Sequence, residues 1–264
     1  MEKLIIYKDN YLIEASYKLT LIEQRLMLYC ISKLNPEVPQ QNLTIFVDDF
    51  INHFPDIGKN NAYVQIKQAI DTLGERWVKV KDPNRTKEFR WISAKEYYID
   101  RGSASISFTN EIMPYLFELK PQFTKYQLRN ISAFKGVYSI RLYELLTQYK
   151  MAKKRDLSVS DLRIALSLNN KFKLWSEFKR NVIEPSIKEI NGKSDLFVSY
   201  ELIKKGRSID SVKFLIKEKS KIKQVQQAKK SVNEKVSERN ETMIEVSSQA
   251  QKYLDEIKDK IKKR

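Results

Sequence analysis

A group of cations marks one short stretch of the chain. ELIKKGRSIDSV, residues 201–212, places Lys204, Lys205 and Arg207 around Gly206. Alternating apolar residues on both sides predict a β-hairpin with this glycine at its tip. Three cations at one tip repel each other, and a phosphate backbone would offset that repulsion. The stretch therefore predicts a contact with nucleic acid.

Side chains suited to base recognition lie about 25 residues earlier. At 100° per residue, a helix over 174–191 has Trp175, Phe178, Val182 and Pro185 on one side. Its opposite side carries the candidate DNA contacts Ser176, Arg180, Asn181 and Lys188. Arg can bridge guanine O6 and N7, and Asn can bridge adenine N6 and N7. Arg180 and Asn181 are the predicted base contacts, whereas Lys171, Lys173 and Lys179 near the helix start suit phosphates.

The first half of the chain carries a weaker copy of this arrangement. A helix is predicted over 60–75, and a hairpin turn follows it. The candidate DNA contacts here are Lys59, Asn60, Asn61 and Lys67 around the helix, and Arg85 and Lys87 in the turn. A structural or dimer-forming role is the alternative for this half.

The residue inventory argues against catalysis and metal binding. The chain has one histidine, His53, and one cysteine, Cys30. They cannot build a Cys/His zinc finger, the metal site of a rolling-circle nickase or a histidine-dependent triad. Gly192-Lys193-Ser194 resembles the end of a phosphate loop, but Ile187 occupies the position of the required glycine. We expect no catalytic residue, no metal, no cofactor and no enzymatic activity, and Gly192 is predicted to cap a helix.

Composition points to a polyanion as the partner. The chain has 264 residues, a formal charge of +16 and a pI near 9.6. No apolar run approaches the ~20 residues of a membrane span, so we expect no transmembrane segment. Nucleic acid is the expected partner, and a membrane is not. Cys30 is predicted to lie in the core, and a single cysteine fits a reducing compartment, which favours a cytoplasmic protein.

The elements that must position these side chains repeat in two halves. Thr20 and Glu23 form a predicted capping box for a helix, followed by a strand at 43–47, two helices and an antiparallel meander from 77 to 109. The second half has a helix near 137–150, a strand near 155–159, two helices and the hairpin at 204–207. Helices followed by a β-hairpin are the plan of a winged helix. The predicted fold is α+β, with two tandem winged-helix domains and a charged, partly helical C-terminal tail.

Prolines at 114 and 121 interrupt the helical pattern between the halves. We therefore predict an N-terminal winged helix at 1–120 for dimerisation and accessory DNA contact, and a C-terminal winged helix at 121–219 for the main DNA contact. Residues 220–264 are predicted to be a charged tail, helical or disordered.

Three segments carry a family resemblance: TLIEQRLMLYCISKL, YSIRLYELLTQYK and FKRNVIEPSIKEINGKSDLFVSYELIKKGRSIDSVKF. With their order and spacing, residues 10–219 resemble the iteron-binding initiators of plasmid replication. The resemblance implies a recognition helix at Trp175 to Asn191 and a wing at Lys204 to Arg207. It also implies a bacterial protein without catalytic activity that binds repeated origin sites, opens the origin and recruits host replication proteins such as the host initiator and replicative helicase. Monomers would initiate, and a homodimer would repress the protein's own promoter and so contribute to copy-number control.

Three alternatives remain open on the sequence alone. A transcriptional regulator with the same two domains would bind an operator without opening DNA. A nucleotidyl-transfer or nicking enzyme would need a carboxylate cluster or a nucleophilic tyrosine beside metal ligands. A membrane-surface protein would need its cations along an amphipathic face.

Overall fold

The computed structural model describes residues 4–35, 38, 40–117, 122–168 and 170–220. The described residues up to Lys217 belong to one compact unit. The predicted tail beyond residue 220 lies outside the described residues.

The first half begins with a short strand and helix and continues into a winged-helix arrangement. Its helices are α1 (Asn10–Glu14), α2 (Leu21–Lys33), α3 (Val47–His53), α4 (Ala62–Leu73) and α5 (Pro114–Phe117). Its strands are β1 (Ile5–Asp9), β2 (Ser16–Tyr17), β3 (Asn42–Phe46), β4 (Trp77–Lys81), β5 (Thr86–Arg90), β6 (Ile92–Tyr98) and β7 (Ser103–Phe108).

The second half repeats the order of helix, strand, helices and hairpin. Its strands are β8 (Phe123–Gln127), β9 (Lys154–Ser158), β10 (Leu196–Lys205) and β11 (Ser208–Glu218). Its helices are α6 (Val137–Thr147), α7 (Val159–Ala165), α8 (Trp175–Phe178) and α9 (Glu184–Lys193). A π-helical turn, Lys179–Ile183, joins α8 to α9 without leaving the helical backbone region. We call α8, this turn and α9 together the composite helix.

Two three-stranded sheets have equivalent topology. The first has the order β3-β7-β6 and the second β9-β11-β10. In the first sheet, β7 pairs with β3 on one edge and forms a hairpin with β6 on the other. In the second sheet, β11 pairs with β9 on one edge and forms a hairpin with β10 on the other. The structure therefore confirms the prediction of two winged helices in one chain.

The predicted meander from 77 to 109 is wrong, because its strands belong to two sheets. β4 and β5 form a sheet with β2, whereas β6 pairs with β7. Trp91 separates β5 from β6 and is buried, with its ring 5.0 Å from that of Tyr17 in an edge-to-face contact. At this buried side chain the chain leaves the β2-β4-β5 sheet and enters the β3-β7-β6 sheet.

Local signals fixed α2 as predicted. Thr20 accepts a hydrogen bond from the Glu23 N–H, and the Glu23 carboxylate accepts one from the Thr20 N–H, so the capping box is confirmed. Cys30 lies in the core, where burial raises the pKa of its thiol far above the ordinary value. The prediction for Gly192 is wrong, because α9 continues through it to Lys193. The Ser194 hydroxyl donates instead to the Ile190 carbonyl at this helix end.

A buried cluster of charged and hydroxyl groups ties the N-terminal segment to the second half. Glu144 of α6 is fully buried and accepts from Lys8 at 2.8 Å, Arg141 at 3.1 Å and Tyr126 at 2.6 Å. Arg141 also donates to the carbonyls of Ile13 and Ala15, each at 2.8 Å. We call these four side chains, Lys8, Tyr126, Arg141 and Glu144, the Glu144 cluster.

Strand pairing also spans the middle of the chain. β1 pairs antiparallel with β8, from Ile5 opposite Gln127 to Asp9 opposite Phe123. The predicted domain boundary near residue 120 would place β1 and β8 in different domains. The boundary stays a prediction.

Candidate nucleic-acid interface

The composite helix has one buried side and one exposed side. Phe178, Val182 and Ile183 are buried in the core, whereas Arg180 and Asn181 are exposed. Ser176 and Lys188 are exposed as well. Pro185 is also exposed, so its predicted place among the apolar residues is wrong. The error arises because the π-helical turn contains one residue more than an α-helical turn. The side chains of α9 are therefore rotated around the helix axis relative to a regular α-helix.

The residues on this face differ in whether their side chains make hydrogen bonds or ion pairs within the described part of the chain. The Asn181 Nδ2 donates to the Glu177 carbonyl of its own helix at 2.8 Å. Lys179 lies 3.3 Å from Glu184, and the hydrogen bond to that carboxylate raises the pKa of the lysine. Within the described part of the chain, Arg180 has no ion pair or side-chain hydrogen bond, so it is the best placed of the three to contact a ligand.

A loop of defined shape leads into the composite helix and carries Lys171 and Lys173. Phe172 adopts a positive φ of 53°, and its ring packs edge-to-face on Tyr138. Arg163 of α7 donates to the carbonyls of Lys171, Phe172 and Lys173 at 3.1, 2.5 and 3.1 Å. Both lysine side chains are therefore exposed on a loop that Arg163 holds in place. Sequence reasoning missed Arg163 because its three acceptors are backbone atoms.

The second wing lies at the junction of β10 and β11. Gly206 has a φ of 63°, a conformation that favours glycine, which confirms its place in the turn. Lys204, Lys205 and Arg207 surround it and are exposed. Among the residues that the structure describes, none of the three makes an ion pair. Below the tip, Lys213 pairs with Glu201 at 2.9 Å.

The first wing is not where the sequence placed it. In the equivalent sheet it lies between β6 and β7, at a 3₁₀ turn (Ile99–Arg101) followed by Gly102 with a φ of 53°. Ile99 is 81% exposed, and Arg101 is exposed with Asp100 at 3.8 Å. The turn RGSA was visible in the sequence, but its pairing depends on β3, some 60 residues earlier.

Arg85 and Lys87 belong instead to the separate hairpin of β4 and β5. Arg85 pairs with Asp82 at 3.0 Å, and Lys87 lies over the Phe89 ring at 5.6 Å. Their placement in a wing is therefore wrong, whereas their contact with DNA stays a prediction.

The residues predicted around α4 include exposed side chains and one in an ion pair. Lys59, Asn60 and Asn61 form an exposed 3₁₀ turn just before the helix. Lys67 pairs with Asp71 at 3.0 Å and lies over the Tyr97 ring at 4.7 Å. Hydrogen bonds from Lys95, Tyr97 and Lys67 hold the pKa of Asp71 well below its ordinary value.

The described residues also bear on metal sites and membrane spans. No group of three His, Cys, Asp or Glu side chains in this part of the chain could hold a metal ion. No helix within it is long and apolar enough to cross a membrane. His53 lies 3.8 Å from Asp49, beside the Tyr29 ring.

Comparison with known proteins assigns the chain to a family. Residues 5–147 match the family model described as initiator replication protein, WH1, and residues 158–216 match initiator Rep protein, WH2. The chain belongs to the initiator replication protein family. The resemblance stated from the three sequence segments is thereby confirmed.

Individual known proteins show how far the similarity extends. A replication initiation protein of Escherichia coli is 29% identical over 82% of this chain and 70% of its own length. The PI protein of Escherichia coli is 32% identical over 47% of this chain and 46% of its own length. The crystal structure of the Pi initiator protein in complex with iteron DNA matches 82% of this chain and 98% of that chain, with a TM-score of 0.71 and 23% identity. That structure shares the double winged-helix fold.

Proposed function

We propose that this initiator binds double-stranded DNA at directly repeated sites in a plasmid origin, and that the composite helix and the second wing make the main contact. The observation that carries the proposal is the presence of two exposed, basic surfaces in the second half of the chain. Arg180 is exposed on the side of the composite helix that faces away from the core, and no ion pair to it exists among the described residues. β10 packs against α9 of this helix and forms with β11 a wing whose tip holds three exposed cations.

The chemistry divides the two surfaces by role. The Arg180 guanidinium can donate two parallel hydrogen bonds to a guanine edge in the major groove, which distinguishes one base pair from another. Lys204, Lys205 and Arg207 can neutralise phosphates, which fixes orientation without specifying sequence. Lys171 and Lys173 suit phosphates at the start of the helix, because the Arg163 hydrogen bonds hold their loop.

The wider role is part of the same proposal. We propose that the bound protein opens the origin and recruits host replication proteins, and that a homodimer of the chain represses its own promoter. It would act in the bacterial cytoplasm without catalysis or a cofactor. Family membership, and the Pi initiator solved with iteron DNA, support this proposal.

Footprinting on the DNA around the gene tests the proposal. We expect regular protection of directly repeated sites of ~20 base pairs, because a winged-helix pair covers one to two helical turns. Protection of one inverted repeat alone would favour a transcriptional regulator.

A second assay addresses catalysis. Supercoiled origin DNA incubated with the protein and Mg²⁺ should remain unnicked. Nicking that is lost on substitution of an Asp or Tyr would contradict the absence of enzymatic activity.

A further inference from the structure

The π-helical turn lies within the face of the composite helix that is proposed to contact DNA. The Glu184 N–H donates to the carbonyl of Lys179, five residues back instead of four. Pro185 follows and has no N–H to donate. A turn of this kind accommodates one residue more than an α-helical turn.

The apolar side chains show that the extra residue is built into the sequence. Two sets of apolar residues follow helical spacing but are offset by one position: Trp175, Phe178 and Val182, then Ile183, Ile187 and Ile190. In an uninterrupted α-helix the second set would be rotated by about 100° from the first. Both sets nevertheless pack against one core, and Phe178, Ile183 and Ile190 are all fully buried. The π-helical turn absorbs the offset.

The same turn aligns the exposed residues. Arg180 and Lys188 are eight positions apart, which separates them by about 80° around an α-helix. One extra residue in between reduces this angle to about 20°. The two cations therefore lie along one line of the exposed side, as contact with a single groove requires.

The Asn181 side chain makes a hydrogen bond to the backbone of its own helix at this turn. Its amide nitrogen donates to the Glu177 carbonyl at 2.8 Å, so the side chain is directed back along its own helix. A side chain bound to its own backbone in this way favours a departure from regular helix. It is also withdrawn from the bidentate geometry that adenine recognition needs.

We propose that Asn181 is a positioning residue, not a base contact, and that the π-helical turn is a one-residue insertion that keeps Arg180 and Lys188 on a common DNA-facing line. This inference rests on the proposed function for the DNA itself. The geometry of the turn does not depend on it.

Two single-residue deletions in the full chain test the insertion. Deletion of Asn181 leaves Arg180 and Lys188 seven positions apart, about 20° in a regular α-helix, and brings Ile183 into register with Phe178. Deletion of Lys188, an exposed residue of the same helix, instead rotates Ile190 by about 100° away from the core. We expect the melting temperature to fall by less than about 5 °C for the first variant and by more than about 10 °C for the second. Equal losses in the two variants would overturn the insertion.

Asn181→Leu tests the positioning role at constant chain length. Binding is measured on the cognate repeat and on a series with one base pair changed at a time. We expect affinity to fall by about 3- to 10-fold on every site, with the order of base preferences unchanged. A loss of discrimination at one A·T pair alone would show that Asn181 contacts that base. If the unmodified chain failed to discriminate repeats, the proposed function would fail, whereas the melting comparison would still decide on the insertion.

Discussion

At the scale of single residues, side chains of similar polarity differ in whether they have a partner within the protein. Arg180, Asn181 and Lys179 are consecutive and polar, yet Asn181 donates to Glu177 and Lys179 pairs with Glu184. The sequence cannot distinguish the three residues, because each has possible partners in the adjacent turns of its own helix. The structure shows which side chains use such a partner.

Substitution of Arg180 tests base recognition. Arg180→Ala should weaken binding to the cognate repeat by ~1–3 kcal/mol and relax preference at one base pair, because a bidentate contact is lost. Lys205→Ala is the matched control, and it should weaken binding to all sequences nearly equally. Fluorescence anisotropy on single-base variants of the repeat measures both. The reverse pattern would mean that the base contact and the phosphate contact have been exchanged.

Substitution of Glu144 tests the buried cluster. Burial raises the pKa of this carboxyl, but Lys8 and Arg141 more than offset it, so the pKa lies below the ordinary 4.5. Glu144→Gln leaves two buried cations without their counter-charge and should cost ~3–5 kcal/mol in the free energy of unfolding by urea at pH 7. Glu88→Gln, at an exposed pair with Lys79, is the control and should cost under ~1 kcal/mol.

The pH dependence has a defined sign. Because the folded-state pKa of Glu144 is lower than that of the unfolded chain, its stabilisation is present above about pH 4.5 and is lost as pH falls through the folded-state value. Urea unfolding from pH 7 to pH 3 should therefore show a steeper decline for the unmodified chain than for Glu144→Gln. Parallel curves would show that this carboxylate is not the group that titrates.

At the scale of elements, helices and strands whose partners are close in sequence are predicted correctly, and those whose partners are distant in sequence are not. The capping box of Thr20 and Glu23 is local, and the sequence predicts it correctly. The first wing depends on the pairing of β7 with β3, so the nearby but unrelated β4–β5 hairpin was mistaken for it. The offset between Val182 and Ile183 was visible in the sequence, but an ordinary helical wheel places both on one broad face.

The revised position of the first wing makes a matched prediction. Arg101→Ala, in the tip between β6 and β7, should reduce affinity for the repeat by about 3- to 10-fold, because a phosphate contact is lost. Arg85→Ala, on the other hairpin and already paired with Asp82, should change affinity by less than 2-fold. Electrophoretic mobility shifts at fixed salt decide between them. A larger effect of Arg85 would restore the hairpin of β4 and β5 as the contact.

At the scale of the whole molecule, the charge of +16 governs affinity. With ~6–10 phosphate contacts, affinity for the repeat should fall by ~10³- to 10⁵-fold between 50 and 200 mM salt, because bound counterions are released. The slope of log affinity against log salt measures the number of contacts, and Lys205→Ala should reduce it by ~1. An affinity that is indifferent to salt would contradict the proposed function.

The Glu144 cluster has a consequence for exchanging parts between relatives. Lys8 and Glu144 are 136 positions apart and meet in the interior, while Arg141 holds carbonyls at Ile13 and Ala15. A chimera that joins the first half of this chain to the second half of another family member would separate charges that are buried together. Such hybrids should fold only when the two halves bring a compatible cation and carboxylate, so we expect only matched halves to be exchangeable between relatives.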